Sequence, residues 1–589
     1  MRMRCWPVNR EKAVRHQQNL CLRVLSVTLA PPHGHIIRSL KSDVVPNQDP
    51  TTKPVDAADR TRPLSGRSLL KSTSVVGAMT MISRVLGLVR DVVFARLFGA
   101  DWLMDAFNAA NKIPNMLRRF FAEGAFSQAF VPVLNEVRER DGHTAVRQLN
   151  DAVAGTLGAC LFVVTLIGVI AAPLLIIVFA PGFLRDEATI DLAALMLRFT
   201  FPYLLFISLT AMAAGILNTY GRFAVPAVTP VILNIVLISF AIFVSPYFDR
   251  PTFALALAVL VAGIAQLAFQ LPFLYRLRLL PRPRWAWRDS QVRKIFRLML
   301  PAIFGSSIVQ INLMIDNIIA SLLGESRITW LYYSDRLMEF PLGVFGIALA
   351  TVVLPSLSRS FGAGDQHGFG ATLDWSMRLV LLIAAPAALG LAVLAGPLMV
   401  TLFFGGAFTE LDVVMTRASL WAFSGGLLAF ITIKILAPGF FSRQDTRTPM
   451  RIALVALAVN LTMNLLLVWL FVRFEIMATH AALAAATTIS AFVNASLLLR
   501  GLSRDGVTRW QSGWLLLALR IVVALVALAA FLLWLSPPLA WWLQATVIDR
   551  IGLLLQLVGG GVILYFAALA AMGLRPMDFK LAAVADTAE

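Results

Sequence analysis

The chain has 589 residues, 58% of them hydrophobic and only 14% charged, with a net charge of +18 and a mean hydropathy of +0.76. That composition excludes an ordinary soluble domain and points to a polytopic membrane protein. The positive charge does not argue for nucleic acid, because the basic residues sit mostly in short loops between apolar runs and read as topology signals.

Residues 1–67 are polar, with only short apolar patches such as 20–29. They are expected to be a disordered cytoplasmic extension, or sequence upstream of a wrongly assigned start. Cys5, Cys21 and Cys160 have neither a disulfide-framework nor a zinc spacing.

From Leu69 onward about fourteen apolar segments reach spanning length: 70–98, 103–135, 149–180, 188–217, 224–246, 252–277, 295–323, 329–357, 371–403, 411–440, 449–471, 478–499, 513–536 and 548–573. The loops after even-numbered segments carry Arg138, Arg140, Arg147, Arg222, Arg359, Arg443, Arg447, Arg500, Arg504 and the run RLRLLPRPRWAWRDSQVRKIFR at 276–297. The loops after odd-numbered segments carry fewer bases, often beside acids. Lys and Arg are retained on the cytoplasmic side, so both termini are expected there, as an even number of spans requires.

The chain repeats itself. AFVPVLNEV near Pro132 recurs as TVVLPSLSRS near Pro355, APLLIIVFAPGF from Ala172 as GPLMVTLFFGGAF from Gly396, and GILNTYGRFAVP ending at Pro226 as APGFFSRQDTRTP ending at Pro449, each at an offset close to 223 residues. Six spans fit that offset, so the halves share one orientation, with their symmetry axis along the membrane normal and a pathway between them. The expected fold is all-α: an N-lobe at 68–290, a C-lobe at 291–500, and two further helices with a tail at 501–589.

Segment 72–136 has the length of two spans, yet it carries Arg84, Arg90, Asp91, Asp105, Lys112, Arg118, Arg119 and Glu123. A charge at the bilayer centre costs about 2.5–3.5 kcal/mol on insertion scales, so these helices must face protein or a wet cavity. Asp105, Lys112, Arg119 and Glu123 recur at separations of seven, seven and four residues, which puts them on one helix face, flanked by Asn108, Asn111 and Asn115. Arg84 and Asp91 share a face; Arg90 and Arg118 fall off the main stripes unless Pro114 turns the helix. The repeat maps these spans onto 7 and 8, where Asp316, Tyr332, Asp335, Arg336 and Glu339 lie. One reading is mutual neutralisation: Arg119 with Glu123 and Arg336 with Glu339 fit it. The other is anion binding by surplus arginines, for which Arg84, Arg90, Arg118 and Arg336 are the candidates, since guanidinium forks grip phosphate oxygens bidentately.

Asp374 and Arg378 stand one turn apart and read as an ion pair. Asp316, Asn460, Asn464 and Thr487 are oxygen-bearing residues on spans 7, 11 and 12 that could form a cation site of the hard-oxygen type. There is no phosphate-cradling Gly-rich loop, no nucleophile elbow and no metal-ligand spacing, so no catalytic activity and no cofactor are expected. Transport energy would come from a coupling ion (sodium or proton), the membrane potential or substrate turnover.

SRVLGLVRD (83–91), DAFNAANKIPNMLRRFFAEGAFSQAFVPVL (105–134), YYSDRLMEFPLGVFGIALATVVLPSLS (332–358) and APGFFSRQDTRTP (437–449) strongly resemble the MurJ (MviN) lipid II flippases of the multidrug/oligosaccharidyl-lipid/polysaccharide exporter superfamily. The resemblance covers about 69–575. It implies a multi-pass protein of the bacterial inner membrane. It also implies a central cationic cavity that carries the undecaprenyl-pyrophosphate-linked disaccharide-pentapeptide to the periplasmic leaflet by alternating access. Membrane lipids and cell-wall synthesis proteins are the further partners it suggests. It places the important charges at Arg84, Arg90, Asp105, Arg118, Asp335, Arg336 and Glu339, supported by Ser83, Asn115, Arg119 and Glu123. It puts a groove for the lipid tail along spans 13 and 14. Some relatives hold sodium between spans 7, 11 and 12; here Asn464 stands where an acid is expected. A flippase for another polyprenyl-linked glycan shares the pyrophosphate. A cation-coupled multidrug exporter of the same superfamily would suit an acidic or aromatic cavity instead, and a non-transporting scaffold would need no uncompensated charge in the bilayer.

Overall fold

The computed structural model describes residues 66–120, 125–508 and 510–575. Residues 1–65 of the expected extension at 1–67, Glu123 and the tail from 576 lie outside the described residues. Nineteen α-helices follow one another. The first half comprises α1 (Gly66–Phe98), α2 (Trp102–Arg118), α3 (Ala125–Ile170), α4 (Ala172–Phe179), α5 (Glu187–Thr200), α6 (Tyr203–Thr219), α7 (Ala224–Ser239) and α8 (Phe253–Arg276). The second comprises α9 (Ser290–Leu323), α10 (Arg327–Pro341), α11 (Ile347–Gly362), α12 (Gln366–Val393), α13 (Ala395–Leu402), α14 (Glu410–Phe441), α15 (Arg447–Arg473) and α16 (Ala481–Arg504). Helices α17 (Trp514–Leu535), α18 (Leu539–Gln544) and α19 (Val547–Ala571) follow last among the described residues.

Helix starts follow from local chemistry. The Asp101 carboxylate accepts from the Met104 N–H at 2.9 Å and opens α2, Asp289 opens α9, and Thr409 with Asp412 forms a capping box at α14. Eleven helices among the described residues are long and apolar enough to cross a membrane. They correspond to the expected spans 3–6 and 8–14. The other expected spans lie in α1 and α2, which carry the charges, and in α9, of which Gln310–Leu323 is apolar. The expected polar loop between spans 2 and 3 is helical instead: α3 runs through it and breaks only at Gly142, whose φ is 77°. Helix α10 passes through a π-turn at Leu342–Gly346 into α11, so Pro341 bends span 8 without ending it.

Large side chains such as Ile170, Leu533, Trp534, Ile548 and Ile563 face outward, as lipid contact requires. Inside, there is little hydrophobic gain from swapping lipid for protein, and small residues set the approach of helices. Ala429, Ala491 and Ala495 form such a contact between α14 and α16. The first-half core holds Met104, Ile113, Phe126, Phe130, Leu157 and Leu204; the second holds Tyr333, Phe403 and Phe408. At the ends of the two repeat-related helices Ala95 of α1 belongs to the second-half core, while Phe94 and Phe98 stay in the first, and Ala320 of α9 belongs to the first.

Loop contacts sort onto two faces. One is Arg-rich, where Arg443 pairs with Asp505, Lys294 with Glu136, and the Arg284 N–H donates to the Asp151 carbonyl. On the opposite face Arg327 donates to the Met477 carbonyl and Trp330 to Asp412. The expected Asp374–Arg378 pair forms at 2.7 Å and ties the added helices to α12. Buried Asp374 also accepts from Trp514 Nε1 at 2.6 Å and the Gln511 N–H at 3.2 Å, while Arg378 donates to the Gln511 and Ser512 carbonyls. Asp374→Ala removes the acceptor that three donors share, and breaking a buried pair in this way costs about 3–5 kcal/mol. The expected outcome is faster tryptic cleavage after Arg504 in purified protein; a cleavage rate equal to wild type would show that the clamp does not hold α17.

Candidate functional site

Helix α1 delivers Arg84, Arg90 and Asp91, and α10 delivers Tyr332, Asp335, Arg336 and Glu339. Asp91 is 2% exposed and is where they meet. Its Oδ1 accepts from Arg90 Nε at 3.0 Å, Arg90 Nη2 at 2.7 Å and the Tyr332 hydroxyl at 2.9 Å, and its Oδ2 accepts from Arg336 Nε at 3.0 Å. Arg336 Nη1 reaches Glu339 at 3.0 Å, as expected for an i, i+3 pair. Arg90 Nη1 donates to Asn234 on α7 at 3.2 Å, and Asn234 donates in turn to the Ser83 carbonyl at 3.1 Å. Arg90 and Arg336, both proposed as surplus, therefore have partners. The shared carboxylate comes from the neighbouring position on α1, a pairing that spacing on one helix does not show.

Asp105 has a different task. Helix α10 starts after Ser326, which has a φ of 67° and offers no side-chain cap. Asp105 supplies the cap from α2: its Oδ1 accepts from the Thr329 N–H at 2.8 Å and the Thr329 hydroxyl at 2.6 Å. The negative charge also complements the helix N-terminus. Asn108 braces the contact through Thr329 Oγ1 at 3.0 Å. Asp105 thus links the halves on the face opposite the Arg-rich loops.

The remaining charges are more open. Arg119 is exposed, and Arg84, Lys112, Arg118 and Asp335 are partly so. Lys112 lies in the field of Asp316 and Asp335. Arg84 makes no ion pair or hydrogen bond among the described residues; its guanidinium lies over Gly343 in the π-turn, where a Cβ would overlap it. Asn115 donates to the Asn111 carbonyl in its own helix at 2.9 Å. Arg336 and Glu339 keep 33% and 43% of their side-chain surface accessible despite their pairing.

Asp316, Asn460, Asn464 and Thr487 are brought together. Asn464 donates to Asp316 at 2.9 Å and to Asn460 Oδ1 at 2.8 Å, Asn460 donates to Thr487 at 3.2 Å, and Thr487 to Asp316 at 3.4 Å. The set is linked around one carboxylate, with the buried Asn464 Oδ1 left without a hydrogen bond. An acid at 464 would bring a second negative charge and no donor; the amide Nδ2 instead donates to Asp316 and Asn460. An apolar groove of about 470 Å³, lined by Leu271, Tyr275 and Leu280 among others, lies away from all these charges.

The sequence reading singled out neither Asn234 nor Thr329, and it did not count Asp91 as a site residue. A lone Asn in the apolar span 224–246 was the available signal for Asn234. Asp91→Ala leaves two guanidiniums at membrane depth without their shared acceptor. The expected loss is about 3–5 kcal/mol, read as a lower thermal midpoint in detergent. Tyr332→Phe removes one hydroxyl and should lose about 1 kcal/mol; equal midpoints for both variants would remove Asp91 from its central place.

Residues 94–548 match the family model described as lipid II flippase MurJ. The chain is 46% identical to the probable lipid II flippase MurJ of Vibrio cholerae over 88% of its own length and 98% of the relative's. It is 40% identical to the lipid II flippase MurJ of Burkholderia cenocepacia over 87% and 99%. Its fold resembles a solved lipid II flippase MurJ in an inward closed conformation, with a TM-score of 0.68, 24% identity and coverage of 84% and 98%. It also resembles an inward-facing multidrug resistance transporter of the MATE family in the MOP superfamily, with a TM-score of 0.58, 13% identity and coverage of 74% and 98%. By family match and by length-wide identity, the chain belongs to the lipid II flippase MurJ family.

Proposed function

We propose that this chain is itself a lipid II flippase. It moves the undecaprenyl-pyrophosphate-linked peptidoglycan precursor from the cytoplasmic to the periplasmic leaflet of the bacterial inner membrane by alternating access, with the Arg-rich loops and both termini cytoplasmic. It is a transporter, not an enzyme. The observation that carries the reading is a set of charged side chains from both halves that stay accessible at membrane depth, above all Arg336 with Glu339 and the unpaired Arg84. Lipid does not tolerate such groups, whereas a wet head-group path needs them.

The chemistry divides accordingly. Arg84, with Arg118 and Arg119, meets the pyrophosphate, for which guanidinium geometry is suited. Arg90 and Arg336 are held by Asp91, and Asp105 holds α10, so these residues shape the path and link the halves. Lys112 and Asp335 line it. The tail stays in lipid, along the apolar outer faces of α17 and α19. With only one carboxylate in the Asp316 set, the membrane potential or a weakly held ion is the favoured energy source. Enzymes that make and use the precursor are the proposed partners on the two faces. The multidrug-exporter alternative shares the fold, but a cavity rich in arginine disfavours cationic drugs.

The test is complementation in a bacterium depleted of its own lipid II flippase, at matched membrane levels. Wild type should restore growth and periplasmic lipid II. Arg84→Ala and Arg118→Ala should each lower transport by about 10- to 100-fold, as expected for a lost hydrogen bond to a charged group. Arg336→Ala should also fail. Rescue by all three variants would make the arginines structural, and failure of a well-inserted wild type would favour another polyprenyl-linked glycan.

A further inference from the structure

The repeat contains a pair of turns that the transport reading does not use. APGF at 180–183 follows α4, and GGAF at 405–408 follows α13. Each turn seats on the end of the first helix of the opposite half. Gly182 lies against the end of α9, where a built Cβ would overlap the Ser321 carbonyl, and its N–H donates to Ser321 Oγ at 3.1 Å. Gly406 lies against the end of α1, where a Cβ would overlap the Arg96 carbonyl, and the next residue, Ala407, donates its N–H to that carbonyl at 2.9 Å. A second bond braces each seat: Asn317 donates to the Phe179 carbonyl at 2.9 Å, and Arg96 Nη2 to the Thr401 carbonyl at 3.3 Å.

The two seats are repeat equivalents. In both, a glycine admits backbone-to-backbone approach that any side chain would block, since a carbon needs at least about 3.3 Å from a carbonyl oxygen. At Gly406 a φ of 62° adds a second reason for glycine. Both seats lie on the face where Asp105 caps α10, away from the Arg-rich loops. Packed interfaces of this kind have discrete docked and undocked arrangements and do not deform continuously.

We propose that Gly182 and Gly406 are positioning residues of the transport cycle: a paired latch that closes this face when both are seated and must release when the lobes rock open. The link to transport rests on the flippase reading, whereas the latch itself is tested without substrate. Spin labels replace Glu187 and Glu410, exposed residues that open α5 and α14 just past each turn, in a background with Cys5, Cys21 and Cys160 changed to serine. Wild type should give one short distance. Gly182→Ala and Gly406→Ala should each add a longer population and lower complementation, while Gly158→Ala, whose Cβ meets nothing within 4 Å, should match wild type. Ser321→Ala, which removes an acceptor without adding bulk, should give a smaller shift and decides the matter if the glycine variants do not fold. Distances unchanged in the folded variants, or a shift in Gly158→Ala as large as theirs, would overturn the latch. A latch confirmed in a chain that fails complementation would leave the conformational device standing and the substrate reading wrong.

Discussion

The carboxylate of Asp91 accepts four hydrogen bonds from two arginines and a tyrosine, and through them fixes α1 of the first half against α10 of the second. At membrane depth no bulk water stands ready to replace a lost partner, so an isolated guanidinium there is costly. Arg90 and Arg336 persist because Asp91 and Glu339 balance them. That balance leaves Arg84 on α1 without an ion pair among the described residues, open to a ligand. The site thus combines a buried carboxylate that holds two arginines with charged groups, Arg84, Arg336 and Glu339, that remain partly accessible.

Much of this was legible in the sequence. Charges too numerous for a lipid-facing helix identified segments 72–136 and 316–339, and the repeat joined them. Periodicity placed Arg336 beside Glu339 and Asp374 beside Arg378, because those pairs lie within one or two turns of a single helix. It could not place Asp91 with Arg336 or Asp105 with Thr329, since those contacts join residues more than two hundred positions apart and depend on how helices rotate against each other. The break at Gly142 in place of a loop had a similar origin: a polar stretch can stay helical beyond the membrane, and only a positive φ marks its interruption.

The repeat explains why the halves are not independent bodies. The end of α1 contributes Ala95 to the second core and α9 contributes Ala320 to the first, so each half receives part of a helix of the other. Any rocking of the lobes must therefore act at these crossing ends, where backbone hydrogen bonds and glycine seats join the halves. Such contacts can be broken and remade without repacking a core. The added helices α17 and α19 have no repeat equivalent. Their tie to α12 through Asp374 makes them part of the second half, free to travel with it.

Asp105 shows why a charge at membrane depth is not by itself evidence of ligand contact. It is fully engaged at Oδ1 with Thr329, and its position at the start of α10 means that removing it frays the helix carrying Tyr332, Asp335, Arg336 and Glu339. Loss of function on its substitution would follow from misplacing those four groups, whether or not it ever touches a head group. The same logic separates Arg84 from Arg90. Both are arginines six residues apart on α1, but only Arg84 has its guanidinium against bare backbone, free to exchange that contact for phosphate oxygens without leaving a carboxylate unpaired.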